Sequence, residues 1–180
     1  MSGFWSSETL KQNLPDLITP YREPHVVNCA YELSMGNQAW VTSSDQQQSR
    51  ISVDLNEGER VNIPPGQFAH LLIHEYVRVP NSAVGLLSMK SKVKMRGLVN
   101  VSGFHVDPGY EGHLVFAVFN AGSSAITIRQ REPTFLLWYV SLDETTKDLY
   151  KGSRRKSTDI ESHQLMDLDP HTILLPLRSE

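Results

Sequence analysis

Turn-forming residues recur along this chain at short, nearly even spacing: Asn-Glu-Gly-Glu at 56–59, Ile-Pro-Pro-Gly-Gln at 63–67, Val-Pro-Asn-Ser at 79–82, Ser-Gly-Phe at 102–104, Asp-Pro-Gly-Tyr-Glu-Gly at 107–112, Asn-Ala-Gly-Ser-Ser at 120–124 and Arg-Glu-Pro at 131–133. Gly supplies left-handed backbone, Pro presets φ, and Asn or Asp bonds its own backbone two residues on, so each cluster marks a chain reversal. The runs between them, such as 68–79, 113–119, 125–129 and 134–140, are rich in Val, Ile, Leu, Phe and Tyr and too short for helices. Short strands punctuated in this way predict an all-β sandwich or barrel. One exception stands at the start, where Ser6 or Ser7 can cap a short helix over 7–14, Glu8 suits its positive end, and Pro15 follows.

The chain has 180 residues, 39% hydrophobic and 21% charged, which predicts one domain over 1–180 with a core of its own. A net charge of -3 gives no global reason to bind nucleic acid or an anionic membrane, so an anion site has to be local. Cys29 is the single cysteine; no internal disulfide and no zinc spacing can be drawn, and a reducing, cytoplasmic setting is expected. The N-terminus lacks a basic start and an apolar run, and no stretch approaches the roughly 18 apolar residues of a membrane span. From about Asp143 the composition turns charged and polar, so 144–180 reads as a mobile tail or lid in which Leu174 and Leu175 can dock.

The segment 90–120 reads as a site rather than scaffold. Lys90, Ser91, Lys92, Lys94 and Arg96 put cations and a hydroxyl ahead of a Gly-containing turn, Asp107 sits in a hairpin, and an alternating strand follows. That grouping points to a polyanionic ligand. If 90–96 were a strand, its four cations would share one face, and a solvated edge is then the plain alternative to a phosphate role. On 113–119, Leu114, Phe116 and Val118 form an apolar core face, while His113, Val115, Ala117 and Phe119 form the other, with room for a flat group over Ala117. Asp107 has its own plain reading as a turn former. His70 and His74 are four apart beside Glu75, but the pattern is not His-Glu-x-x-His and a strand setting lacks the helical face that zinc needs, so no metal is assigned to them. His105 and His113 flank the hairpin and read more simply as its caps.

The run from Ile63 through Leu98, followed by Gly-Phe-His-Val-Asp-Pro-Gly-Tyr-Glu-Gly at 103–112 and the strand to Gly122, resembles the central region of the dCTP deaminase and trimeric dUTPase family. The likeness covers about residues 8–157: upstream the Tyr-acid-Leu of Tyr31, Glu32 and Leu33 is similar to the deaminase branch, and Tyr150 and Lys151 lie where that branch has a lid over the triphosphate. The resemblance implies a mostly β, jelly-roll-like distorted barrel of the dUTPase-like type, a homotrimer with sites between subunits, and a deoxycytidine or deoxyuridine triphosphate carrying Mg2+, without zinc. It implies phosphate contacts from Lys90, Ser91 and Lys92, with Lys94 and Arg96 nearby and Lys94 or Met95 where deaminases carry a further arginine. Gly103 and Phe104 would line a base pocket, Asp107 would meet the sugar 3'-hydroxyl and serve as the catalytic group of a dUTPase-like hydrolysis, and Tyr110 would stack on the sugar.

The departure is at Ala117, where deaminases carry the glutamate that activates water, a role alanine cannot fill. The zinc deaminase signature is absent as well. Glu111 is the nearest carboxylate to stand in, expected in the turn and facing solvent. The glycine-rich C-terminal phosphate motif of dUTPases is also missing, since 152–157 is basic; Arg154, Arg155 and Lys156 read equally as a phosphate lid or an ordinary basic patch. The family reaction converts dCTP and water to dUTP and ammonia; the alternatives are a pyrophosphohydrolase relying on Asp107 and a non-catalytic nucleotide-binding homologue.

Overall fold

The computed structural model describes residues 3–42, 50–152 and 154–163; Leu174 and Leu175 lie outside that range. Helix α1 (Ser7–Leu17) opens the chain, capped by Ser6, whose Oγ accepts a hydrogen bond from the Thr9 amide at 3.2 Å. It runs three residues beyond the expected end and takes Pro15 inside its last turn. Burial explains the extension: Leu10, Leu14 and the following Ile18 are sealed in the core, which outweighs the backbone hydrogen bond that proline cannot make.

Strands follow in order: β1 (Ile18–Thr19), β2 (Val26–Val27), β3 (Ala30–Thr42), β4 (Arg50–Asp54), β5 (Arg60–Ile63), β6 (Phe68–Arg78), β7 (Ala83–Met89), β8 (Leu98–Asn100), β9 (His105–Val106), β10 (Glu111–Asn120), β11 (Ile126–Arg129) and β12 (Pro133–Ser141). A one-turn helix α2 (Ser91–Lys94) separates β7 from β8, and α3 (Ile160–His163) closes the described chain. The main sheet runs β8-β10-β6-β3-β12-β7-β9, with β11 and β5 pairing apart from it. All the pairs are antiparallel.

The long strand β3 is the seam. Its first half pairs with β12 through Tyr31, Glu32, Leu33 and Ser34, and its second half pairs with β6 through Ala39, Trp40 and Val41. Between them the register shifts, and Gly36 lies so close to β6 that a Cβ would stand 2.8 Å from the Leu72 carbonyl oxygen. A bulge of this kind bends a strand, so the sheet curls round one apolar interior. That interior holds Leu33, Met35, Leu71, Ile73, Phe116, Phe135 and Leu137, all fully buried, with the Phe116 and Phe135 rings 4.1 Å apart. Strand β10 alternates as expected: Leu114, Phe116 and Val118 are buried, whereas His113, Val115 and Ala117 are half-buried on the outer face.

Of the segment after Asp143, the described residues 144–152 and 154–163 are tied to the barrel. The Thr146 amide donates to the Asn81 carbonyl, the Tyr150 amide to Pro108 at 2.8 Å, and the Lys156 amide to Glu111 at 2.6 Å, while the His113 amide donates to Ser157 at 2.9 Å. Ile160 is buried at 1% exposure. Backbone bonds to the hairpin after β9 thus hold a segment that lacks apolar periodicity of its own. No helix among the described residues is long and apolar enough to cross a membrane.

Candidate functional site in two halves

The cationic segment is helical, not extended. Lys90 is the N-cap of α2 with φ -61° and ψ 143°, and the turn closes when the Gly97 amide donates to Lys94 at 2.9 Å. Gly97 has φ +97° and lies so close to Gly122 that a Cβ would meet its backbone at 2.5 Å, so the turn is docked on the loop after β10. The extended arrangement that would put the four cations on one strand face is therefore not formed, and each of the four meets a different partner. Lys90 pairs with Glu32 of β3, Lys92 with Glu132 at 3.2 Å, Lys94 Nζ with Ser88 Oγ at 2.6 Å, and Arg96 donates to the Ala125 carbonyl at 3.0 Å. Ser91 is exposed at the start of the turn.

Glu32 is a residue that cation counting missed, although the Tyr-acid-Leu pattern marks it. It is 15% exposed against 34% for Lys90, so the pair is partly desolvated. An anion arriving at Lys90 competes with it. Glu32→Gln is therefore expected to tighten nucleotide binding about fivefold, which corresponds to about 1 kcal/mol, measured by calorimetric titration with dCTP. An unchanged dissociation constant would show that Lys90 does not meet the anion.

The carboxylate half is built on the turn 107–110, in which the Tyr110 amide donates to the Asp107 carbonyl at 3.1 Å and Gly109 takes φ +82°. Pro second and a left-handed Gly third is the pattern of a type II turn. Asp107 is 50% exposed, and its Oδ1 lies 3.4 Å from His105 Nε2. Tyr110, by contrast, is 5% exposed: its hydroxyl donates to the His113 carbonyl at 3.0 Å and its ring meets Tyr150 edge-on at 5.5 Å. Burial pushes its phenol pKa up. Tyr150 and Leu149 lie directly on this turn, and a Cβ on Gly109 would stand 2.7 Å from that of Leu149. Lys151 points outward at 83% exposure, 3.8 Å from Asp148.

Glu111 does not face solvent freely. It is held by Arg155 at 3.3 Å and Lys156 at 3.7 Å, which gives the basic run 154–156 a partner within the chain. It also lies six residues from Ala117 on the same strand, about 20 Å away, and so cannot serve as that position's missing carboxylate. The Ala117 carbonyl accepts from the Val101 and Ser102 amides at 2.9 and 3.2 Å, which lays the loop carrying Gly103 and Phe104 beside it. Phe104 is 69% exposed, and Gly103 has open space around it. Directly across from Ala117 on β6 stands His70, flanked by the Phe68 ring at 5.0 Å. Its proximity was hidden in the sequence because the pairing register was unknown.

The two halves do not meet within one chain. Strand β9 pairs Val106 with Gly85 and His105 with Leu86, so Asp107 lies level with Val84, at the opposite end of β7 from Lys90. Six residues of strand put them about 20 Å apart. Two ionisable groups lie deeper still. Glu75, 2% exposed, accepts from the Ser34 amide at 2.8 Å, and burial pushes its carboxyl up to about 7. Burial, with Arg131 and neighbouring imidazoles, lowers the pKa of His74 to about 4. Among the described residues no three His, Cys, Asp or Glu side chains are grouped to hold a metal ion.

Comparison with known proteins places this geometry. The dCTP deaminase of Thermococcus kodakarensis is 27% identical over 141 residues, covering 78% of this chain and 86% of that protein. The dCTP deaminase of Pyrococcus horikoshii is 25% identical over 142 residues, covering 79% and 86%. In fold, the crystal structure of 2'-deoxycytidine 5'-triphosphate deaminase from Agrobacterium tumefaciens superposes with a TM-score of 0.63 at 11% identity, over 78% of this chain and 48% of that one. That last likeness is one of fold alone, and it matches the dUTPase-like barrel expected. The family model described as dCTP deaminase-like matches residues 4–137, from just before α1 into β12, and the chain belongs to that family.

Proposed function

We infer that this protein binds a deoxypyrimidine triphosphate, dCTP in the first place, at a site completed by a neighbouring copy in a homotrimer. The separation of the two halves along β7 carries this reading: the cationic turn of one copy and the Asp107 hairpin of another can close round one nucleotide, whereas those of a single copy cannot. Lys90, Ser91, Lys92, Lys94 and Arg96 would face the phosphates with Mg2+ riding on them, and Gly103, Phe104 and Ala117 would face the base. Asp107 would meet the sugar, with Tyr110 beneath it and Tyr150 and Lys151 over the turn. The exposed apolar side chains of Val99, Val101, Phe104 and Phe119, close to Ala117, suit an interface between copies.

The family's deamination of dCTP to dUTP and ammonia needs a proton carrier at the base, and the chain offers alanine there. A second reading follows from Asp107, half exposed beside His105: hydrolysis of dUTP to release pyrophosphate. Incubating the purified protein with dCTP and with dUTP plus magnesium, and following ammonia and pyrophosphate separately, distinguishes the outcomes. Ammonia identifies a deaminase, pyrophosphate from dUTP the second reading, and binding without either product a nucleotide-binding homologue. Light scattering that gives a monomer with and without nucleotide would overturn the shared site.

Asp107→Asn keeps the turn-forming side chain and removes the charge. Nucleotide affinity or turnover should fall about tenfold with stability changed by less than about 1 kcal/mol. A lowered melting temperature with affinity intact would assign Asp107 to the turn alone.

A further inference from the structure

We propose a second anion site, for a polyphosphate, in a cavity of about 600 Å³ lined by Arg60, Lys92, Arg129, Gln130, Arg131 and Glu132. Four cationic side chains share this concavity with one carboxylate, in a chain whose overall charge is -3. That carboxylate is already engaged, since Glu132 Oε1 holds Lys92 at 3.2 Å and Oε2 accepts from the Arg129 amide at 3.0 Å. Glu59, next to Arg60, is turned to the Asn56 amide at 2.8 Å. Among the described residues, none of the three arginines has a carboxylate within ion-pair distance.

Two features show that the cations are placed against local preference. Arg129 and Arg60 are direct cross-strand partners on β11 and β5, a position where like charges repel. Arg131 occupies the third position of the turn closed by the Glu132 amide and the Arg129 carbonyl at 3.0 Å, with φ 65°, where Gly or Asn is the unstrained residue. Gln130 adds a buried side-chain oxygen without a hydrogen-bond partner at the same wall. Because an amide can present either oxygen or nitrogen, this group can offer a donor to an entering oxyanion. A compact ligand with three or more negative charges fits the volume and the charge, whether a free inorganic polyphosphate or the tail of a nucleotide. Asp107, Tyr110 and Ala117 take no part in this cavity; Lys92 at its rim is the one residue shared with the cationic turn assigned to the nucleotide's phosphates.

The test is calorimetric titration of the full chain with inorganic tripolyphosphate at low salt. Micromolar binding is expected, weakened at least tenfold by Arg60→Gln or Arg129→Gln and by less than twofold by Lys147→Gln, an exposed cation outside the cavity. Arg131→Gly supplies a signature that a structural role would not: it should raise the melting temperature while weakening tripolyphosphate at least tenfold. Equal affinities for tripolyphosphate and dCTP at this site would point to the tail alone, and tighter dCTP binding that is lost in Arg60→Gln to a nucleotide. The proposal is overturned by absence of tripolyphosphate binding, or by binding that Arg60→Gln and Arg129→Gln leave intact.

Discussion

Glu75→Gln is expected to make the protein more stable above pH 7 by about 3 kcal/mol while leaving its stability near pH 4.5 almost unchanged. The native carboxyl is pushed up to about 7 by burial, against an ordinary value of 4.5, and the single amide of Ser34 only partly offsets that cost. Below pH 4.5 the group is neutral in both folded and unfolded chains and costs nothing. Between 4.5 and 7 the unfolded chain ionises first, so wild-type stability falls as pH rises; above 7 the whole cost persists, on the order of 3 kcal/mol. Glutamine keeps an acceptor for Ser34 and has no charge to desolvate. His74 acts in the opposite sense: its folded pKa of about 4 means stability is lost as pH falls below its ordinary 6.5. Wild type should therefore vary little between pH 4.5 and 6.5, and the glutamine variant should show the histidine slope alone. Denaturant titrations at pH 4.5, 6 and 8 check this; parallel pH profiles for the two proteins would show that burial does not raise the Glu75 carboxyl in the fold.

Ala117→Glu is expected to raise ammonia release from dCTP by about 10²–10⁴-fold, the range that a positioned general acid-base group contributes. The position is half-buried on the outer face of β10, and its backbone carbonyl already anchors the Val101 and Ser102 amides, so the loop beside it does not depend on the side chain. His70 lies across the strand pair and can hydrogen-bond the new carboxylate. Ala117→Gln, of equal size but unable to take up a proton, should stay at the wild-type rate. If glutamate and glutamine behave alike, the base does not sit over this strand position.

Much of the strand content was legible because burial on one face forces strict alternation: 113–119 reads as a strand with Leu114, Phe116 and Val118 inward, and so it is. β3, the longest strand, escaped alternation analysis because its bulge around Gly36 and its pairing on two sides bury consecutive residues from Leu33 to Gly36 on both faces. Turn chemistry was equally plain at 107–110, where Pro and Gly occupy the positions a type II turn requires. At 90–96 local pattern failed: one helical turn is too short for a periodic signal, and it persists because Gly97 docks against Gly122, a contact between segments 25 residues apart. The same holds for Glu32 and Lys90, and for Glu111 with Arg155 and Lys156, since ion pairs across strands depend on registers that no local window contains.

The polypeptide from Leu149 to Ser157 covers the aspartate hairpin with its own side chains and shares backbone hydrogen bonds with Glu111 and His113. Peeling it away would wet the Tyr110 ring and orphan an amide on the strand that leads to Ala117. This stretch is therefore a foundation for the hairpin instead of an appendage, and a chain cut short before Leu149 would forfeit the ground on which Asp107 stands.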